Sequence, residues 1–206
     1  SKAYNQGGPG AGLGNRVWFN NGSGTFTDSG QSLGNAYSYG PSIADLDGDG
    51  DLDVFSANIF GANKVWLNNG SGTFTDSGQS LGSLDSTMAL LADLDGDGDQ
   101  DAFIPNTTGS NQIFLNDGSG QFTDSGQALG NTVSGSAALG DIDGDGDIDA
   151  VVGNGPPNNR DTVWINDGTG VFSDSGQSLG SGNNSSISSL LGDFDGDGDL
   201  DWFVTG

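Results

Sequence analysis

Apolar residues in this chain come in short runs, each cut by glycine or by an Asx-Gly pair. One set precedes an acidic stretch: MALLA at Met88–Ala92, SAALG at Ser136–Gly140 and ISSLLG at Ile187–Gly192. A second set follows it: LDVFSA at Leu52–Ala57 and IDAVVG at Ile148–Gly153. A third is aromatic and β-branched: VWFN at Val17–Asn20, VWLN at Val65–Asn68, IFLN at Ile113–Asn116 and VWIN at Val163–Asn166. Each of these ends on Asn-Gly or Asp-Gly, at Asn21-Gly22, Asn69-Gly70, Asp117-Gly118 and Asp167-Gly168. Such pairs accept the positive φ of a tight hairpin. A TFTDSG-like run then closes each unit. No segment of ten or more residues carries a helical period, and glycine is too frequent for one. The pattern therefore predicts four short strands per unit and an all-β fold. Runs such as Val54-Phe55 and Val65-Trp66-Leu67 do not alternate, which points to strands covered on both faces.

The units repeat. GSGTFTDSGQSLG at Gly22–Gly34 recurs unchanged at Gly70–Gly82, and returns with small changes at Gly118–Gly130 and Gly168–Gly180. The acidic stretches begin at Asp45, Asp93, Asp141 and Asp193, spaced 48, 48 and 52 residues apart. Four strands at a period of about fifty residues describe a β-propeller blade. The chain opens on strands three and four of one unit and closes on strands one and two of another. The expected architecture is a single domain over residues 1–206, with four antiparallel blades: 187–206 plus 1–34, 41–82, 88–130 and 136–180. Strands from both ends would share one blade and close the ring, removing the free sheet edges. Half of an eight-bladed dimer and part of a larger ring are the alternatives. A calcium-bound parallel β-roll is disfavoured, because its Gly-Asp repeats come every nine residues or so.

Composition narrows the chemistry. The chain has 206 residues, a formal net charge of -24, no cysteine and no histidine, and all 28 of its acidic residues are aspartate. Disulfides, thiolate metal sites and cysteine nucleophiles are excluded, as is the commonest general base. The basic residues are Lys2, Arg16, Lys64 and Arg160. Four scattered cations do not make a phosphate-binding surface, so nucleic acid is not expected as a partner. No apolar run approaches membrane-spanning length, so no membrane insertion is expected.

The acidic stretches carry the strongest chemical signal. They contain Asp45, Asp47, Asp49, Asp51 and Asp53; Asp93, Asp95, Asp97, Asp99 and Asp101; Asp141, Asp143, Asp145, Asp147 and Asp149; and Asp193, Asp195, Asp197, Asp199 and Asp201. Five carboxylates within nine residues repel one another, by about 1 kcal/mol per pair at 4 Å even in bulk water. Alternating Asp aims oxygens at one centre, and the intervening glycines permit tight curvature. Hard oxygen ligands select Ca²⁺, about four ions in all, one per loop. Positions 1, 3 and 5 match the spacing of an EF-hand, but position 12 holds Ser56, Ile104, Val152 or Val204 in place of Glu. Ligands are therefore assigned to the side chains at positions 1, 3, 5 and 9 and to the backbone carbonyl at position 7, whose side chain is expected to point outward.

A D-x-D-G-D-G-x-x-D loop between two strands, inside blade-length repeats, resembles the FG-GAP/VCBS-type propeller repeat. The resemblance covers essentially the whole chain. It implies calcium-stabilised blades and extracellular or cell-surface work in adhesion or ligand binding, as in the integrin α-subunit head. It also implies a carbohydrate option, because the family includes propeller lectins.

Other repeated positions are read more conservatively. Trp18, Trp66, Phe114 and Trp164 occupy one position, expected to pack between blades; the alternative is a ring of sugar-stacking platforms. Asp28, Asp76, Asp124 and Asp174 suit Asx turns. Gln31, Gln79, Gln127 and Gln177 are expected to satisfy loop backbone. Residues that break the repeat, at Tyr37–Tyr39, Ile59–Asn63, Asn106–Asn111, Asn154–Thr162 and Asn183–Ser186, are candidate loops for specificity, and Gln6–Gly14 reads as a flexible closing segment. Asp85 and Asp161 are the non-repeated acids and have no visible catalytic partner. The expected function is a non-catalytic calcium-binding scaffold for a protein or carbohydrate ligand, as a monomer or a ring-completing homodimer; a multivalent calcium-dependent lectin is the alternative.

Overall fold

In a computed structural model, residues 14–131, 133–156, 160–180 and 185–206 are described. Most of the predicted closing segment Gln6–Gly14, and parts of the loops at 154–162 and 183–186, lie outside them. Every regular element among the described residues is a β-strand. Each unit forms one antiparallel meander. The first is β3 (Tyr37–Ala44), β4 (Asp53–Ile59), β5 (Lys64–Asn68) and β6 (Phe74–Asp76). The second is β7 (Leu90–Ala92), β8 (Asp101–Ile104), β9 (Gln112–Asn116) and β10 (Phe122–Asp124). The third is β11 (Ser134–Gly140), β12 (Asp149–Asn154), β13 (Asp161–Asn166) and β14 (Phe172–Leu179). Register is conserved: Phe55 faces Val65, Phe103 faces Ile113, and Val151 faces Val163.

Two expectations change. Tyr37–Tyr39, expected as a loop, begins β3, because Tyr37 and Ser38 pair with Ile59 and Asn58. The shared blade is not present as one sheet. Among the described residues, β1 (Asn15–Asn20) pairs only with β2 (Phe26–Leu33), and β15 (Ser188–Gly192) only with β16 (Asp201–Thr205). Packing explains this. β2 lies beside β6 and β15 beside β11 and β12, so the two hairpins flank different ends of the row of three sheets.

The sheets stack through a repeated set of contacts. Phe55 of β4 meets Phe122 of the next sheet edge-on at 5.2 Å, and Phe103 meets Phe172 at 5.9 Å. These pairs sit in two buried clusters that also hold Val65 with Phe114, and Ile113 with Trp164. Both faces of β8 and β12 are buried, which accounts for their unbroken apolar sequence.

Polar side chains tie the same junctions. Gln31 Nε2 donates to the Gly72 carbonyl at 2.7 Å, while its Oε1 accepts from the Phe74 N–H at 2.9 Å. Gln79 does the same for Gly120 and Phe122, and Gln127 for Gly170 and Phe172. In the other direction Asn116 donates to the Leu46 carbonyl, and Asn166 to the Leu94 carbonyl. Replacing Gln79 by Ala would remove three hydrogen bonds, to Gly120, Phe122 and the Ser77 hydroxyl, and strand the Phe122 N–H. Urea unfolding of Gln79→Ala should show a loss of about 1–3 kcal/mol, with an unchanged m-value.

Candidate metal centres

The acidic stretch links strands one and two of each sheet. Its curvature comes from two glycines in the left-handed region, at φ 75° and 92° for Gly48 and Gly50, with the same pattern in every copy. Position 1 organises the turn: Asp45 Oδ1 accepts from the Gly48 N–H at 2.9 Å, and Oδ2 from the Gly50 N–H at 3.0 Å. Asp93, Asp141 and Asp193 hold their own glycine pairs in the same way.

Position 9 anchors the loop to the sheet. Asp53 is fully buried; Oδ2 accepts from the Leu46 N–H at 2.9 Å and Oδ1 from the Asn68 N–H at 2.7 Å. Asp101 is bound likewise by Leu94 and Asn116, and Asp149 by Ile142 and Asn166. Each carboxylate thus fastens its own loop to strand three, and two N–H donors offset its burial. Asp201 differs. Its Oδ2 accepts from the Phe194 N–H at 2.9 Å, and it is only half-buried.

These turns bring together the oxygens of Asp45, Asp47 and Asp53; of Asp93, Asp95 and Asp101; of Asp141, Asp143 and Asp149; and of Asp193, Asp195 and Asp197, each set within 4.8 Å. Each triad could hold a metal ion. Positions 1, 3 and 9 therefore meet in three loops, and positions 1, 3 and 5 in the fourth. Asp49, Asp97 and Asp145 stand outside the first three triads, and each accepts a hydrogen bond from the residue two positions on. The position-7 side chains do not point freely outward. Asp51, Asp99 and Asp147 lean over the turns at Gly70, Gly118 and Gly168, where an added Cβ would collide with the carboxylate.

Crowding shows in the titration. Burial raises the Asp101 carboxyl to about 6, against the lowering effect of the Asn116 and Leu94 N–H donors; the charges of Asp95 and Asp97 add to the rise. Asp47 and Asp95 are also raised, first by burial and then by neighbouring aspartates. Asp143 and Asp147 shift the same way. Asp117 and Asp167 move down, because the Ser119 and Thr169 hydroxyls donate to them. A cluster that resists ionisation in this way is relieved by a cation. The oxygens each triad brings together are all carboxylate, a donor set that fits a hard ion.

The repeated aromatics separate. Phe114 is buried, and Trp66 and Trp164 nearly so, as blade-packing residues would be; Trp18 is exposed. Trp66 also helps wall a cleft of about 410 Å³ with Tyr37, Phe60, Lys64 and Asp76. Sequence reasoning singled out the loop at 59–63 but not Phe60, whose φ of 62° makes it the one non-glycine residue of that kind among those described. The Asx turns form as expected, with Asp28, Asp76, Asp124 and Asp174 accepting from the glycine N–H two residues on. Asp85 accepts from the Phe60 N–H, and Asp161 from the Asn154 N–H and the Ser186 hydroxyl.

A family model described as the FG-GAP-like repeat matches residues 5–56, 45–104, 93–152 and 141–204. No curated protein matches the chain. Among solved structures, the crystal structure of the V. cholerae biofilm matrix protein Bap1 is similar at 21% identity, with a TM-score of 0.50. The match covers 82% of this chain but 28% of that one, and it bears on the fold alone.

Proton and cation compete for the same oxygens. In chelator, the folded chain takes up a proton at Asp101 near pH 6, whereas an unfolded aspartate does so near 3.8. Stability in chelator should therefore rise as pH falls from neutral to about 5, while affinity for any divalent cation the triads take should fall, by about tenfold or more. Thermal melts and calcium titration calorimetry at the two pH values check both signs.

Proposed function

Since the chain belongs to the FG-GAP-like repeat family, we propose that it is a calcium-stabilised β-propeller module of an extracellular or cell-surface protein, serving adhesion or ligand binding without catalysis. The observation that carries this reading is the fourfold return of one aspartate cluster at one place in the sheet, the loop from strand one to strand two. One calcium ion per loop would neutralise the cluster and clamp two strands. If each site bound at about 10 μM, 1 mM calcium would add about 2.7 kcal/mol per site. Free calcium reaches that level outside cells, which supports the extracellular placement. The non-catalytic reading is supported by Asp85 and Asp161, whose carboxylates are engaged with backbone N–H groups and a hydroxyl. The partner is a protein or a glycan; a chain of net charge -24 is repelled by nucleic acid.

Calcium at about 1 mM should raise the melting temperature above that in chelator by more than about 10 °C, given roughly 2–4 °C per kcal/mol for a chain of this size. Calorimetry should count about four ions. An unchanged melting curve would remove the clamp.

A second reading, carbohydrate binding, is favoured by the cleft of Trp66, Tyr37, Phe60, Lys64 and Asp76, which pairs aromatic faces with polar groups. Phe60 is exposed and meets Tyr37 edge-on at 6.3 Å. A glycan array probed in calcium and in chelator tests it. Binding that Phe60→Ala abolishes with the melting temperature unchanged supports a lectin; a blank array with folded protein leaves the protein-binding module.

A further inference from the structure

The two terminal hairpins are halves of one sheet, and neither has a third strand among the described residues. In the complete sheets, strand two pairs with strand three in one register: Val54 with Trp66, Ala102 with Phe114, Ala150 with Trp164. The equivalent residues are Trp202 on β16 and Trp18 on β1, and no described strand pairs with the edges that would carry this pairing.

Every contact that joins neighbouring sheets is also half-made at the ends. Phe122 and Phe172, buried under the preceding sheet, correspond to Phe26, which is 61% exposed. Phe55 and Phe103 correspond to Phe203, which is 56% exposed. Gln31, Gln79 and Gln127 each grip the next hairpin turn, and the fourth copy, Gln177, is exposed. The residues it would grip are Gly24 and Phe26. The turns at Gly118 and Gly168 are covered by Asp99 and Asp147, whereas nothing lies within 4 Å of a Cβ built on Gly22.

The fourth acidic cluster is unfinished for the same reason. Asp53, Asp101 and Asp149 each accept a hydrogen bond from the N–H of a strand-three asparagine. The matching donor for Asp201 is the N–H of Asn20, at the other end of the row.

We propose that the β15–β16 hairpin takes the β1–β2 hairpin of a second copy onto its free edge, completing a four-stranded sheet and the fourth acidic cluster. The occupant is specified by this register, by the free Gln177 facing an unclaimed Gly24 and Phe26, and by the Asn20 donor that Asp201 lacks. The chain's own β1–β2 hairpin is held beside β6, with three packed sheets between it and β16. Two copies joined at both junctions leave no free hairpin. An interface of this head-to-tail kind closes when its rotation allows and otherwise extends. The inference does not depend on which ion or ligand the protein binds.

The intact chain in calcium should weigh twice 20.7 kDa, or a higher whole multiple, by native mass spectrometry and light scattering. A 20.7 kDa monomer at micromolar concentration overturns the proposal. Residues equivalent to the pair Ser56 and Lys64 are Val204 and Arg16. Directly opposed strand residues lie within disulfide range, and the chain has no cysteine of its own. Oxidised Arg16→Cys/Val204→Cys protein should run as a covalent multimer. A disulfide confined to the monomer would mean that the chain closes on itself, and free thiols would mean that the edges do not meet; both overturn the proposal. Gln177→Ala, which removes no side-chain hydrogen bond among the described residues, should weaken association about tenfold or more. An unchanged affinity would overturn the register. A missing calcium-dependent rise in melting temperature would count against the clamp but leave these masses and cross-links as they are.

Discussion

One buried aspartate holds each complete sheet together. Asp53, Asp101 and Asp149 sit at the first residue of strand two, and each accepts an N–H from its own acidic loop and another from strand three. A buried carboxylate is costly unless its oxygens are bound, and two backbone donors meet that need. Three pieces of chain are thereby fixed to one point. The turn, the strand order and the direction of the loop's other carboxylates all follow from it.

That anchoring creates an electrostatic problem in the loop itself. With position 9 fixed, the left-handed glycines turn the loop so that oxygens of positions 1 and 3 lie within 4.8 Å of it. The raised titration of Asp47, Asp95, Asp101 and Asp143 reflects burial first, with the like charges of neighbouring aspartates adding to it. Hydrogen bonds from Gly48 and Gly50 to Asp45 shape the loop but do not neutralise it. A divalent cation does, and the oxygen-only donor set suits a hard one.

Contacts between sheets are as repetitive as contacts within them. The same Phe–Phe pair, Gln clamp and Asn tie recur at successive junctions. In such an array each unit is stabilised by its neighbours, and terminal units carry surfaces built for a neighbour. Trp18, Phe26 and Phe203 are exposed although their repeat equivalents are buried or more shielded.

The amino-acid sequence by itself determined the repeat, the strand runs and the acidic clusters. Asx-Gly turns, β-branched runs and Asp-x-Asp-Gly spacing are local, and each needs only a few neighbouring residues to act. Three complete meanders, the Asx turns at Asp28 and its copies, and the convergence of positions 1 and 3 within each acidic loop were legible from it. The tertiary structure decided what depends on distant partners. It brought the buried Asp53, Asp101 and Asp149 into the first three triads, with Asp49, Asp97 and Asp145 standing outside them. It laid Asp51, Asp99 and Asp147 over a turn from another strand, and joined Tyr37 to Ile59 across β3 and β4. It also kept the terminal hairpins as separate sheets. Sequence periodicity shows that strands one and two complement strands three and four, but whether the ends meet depends on how the intervening sheets pack, a sum over contacts that no local pattern encodes.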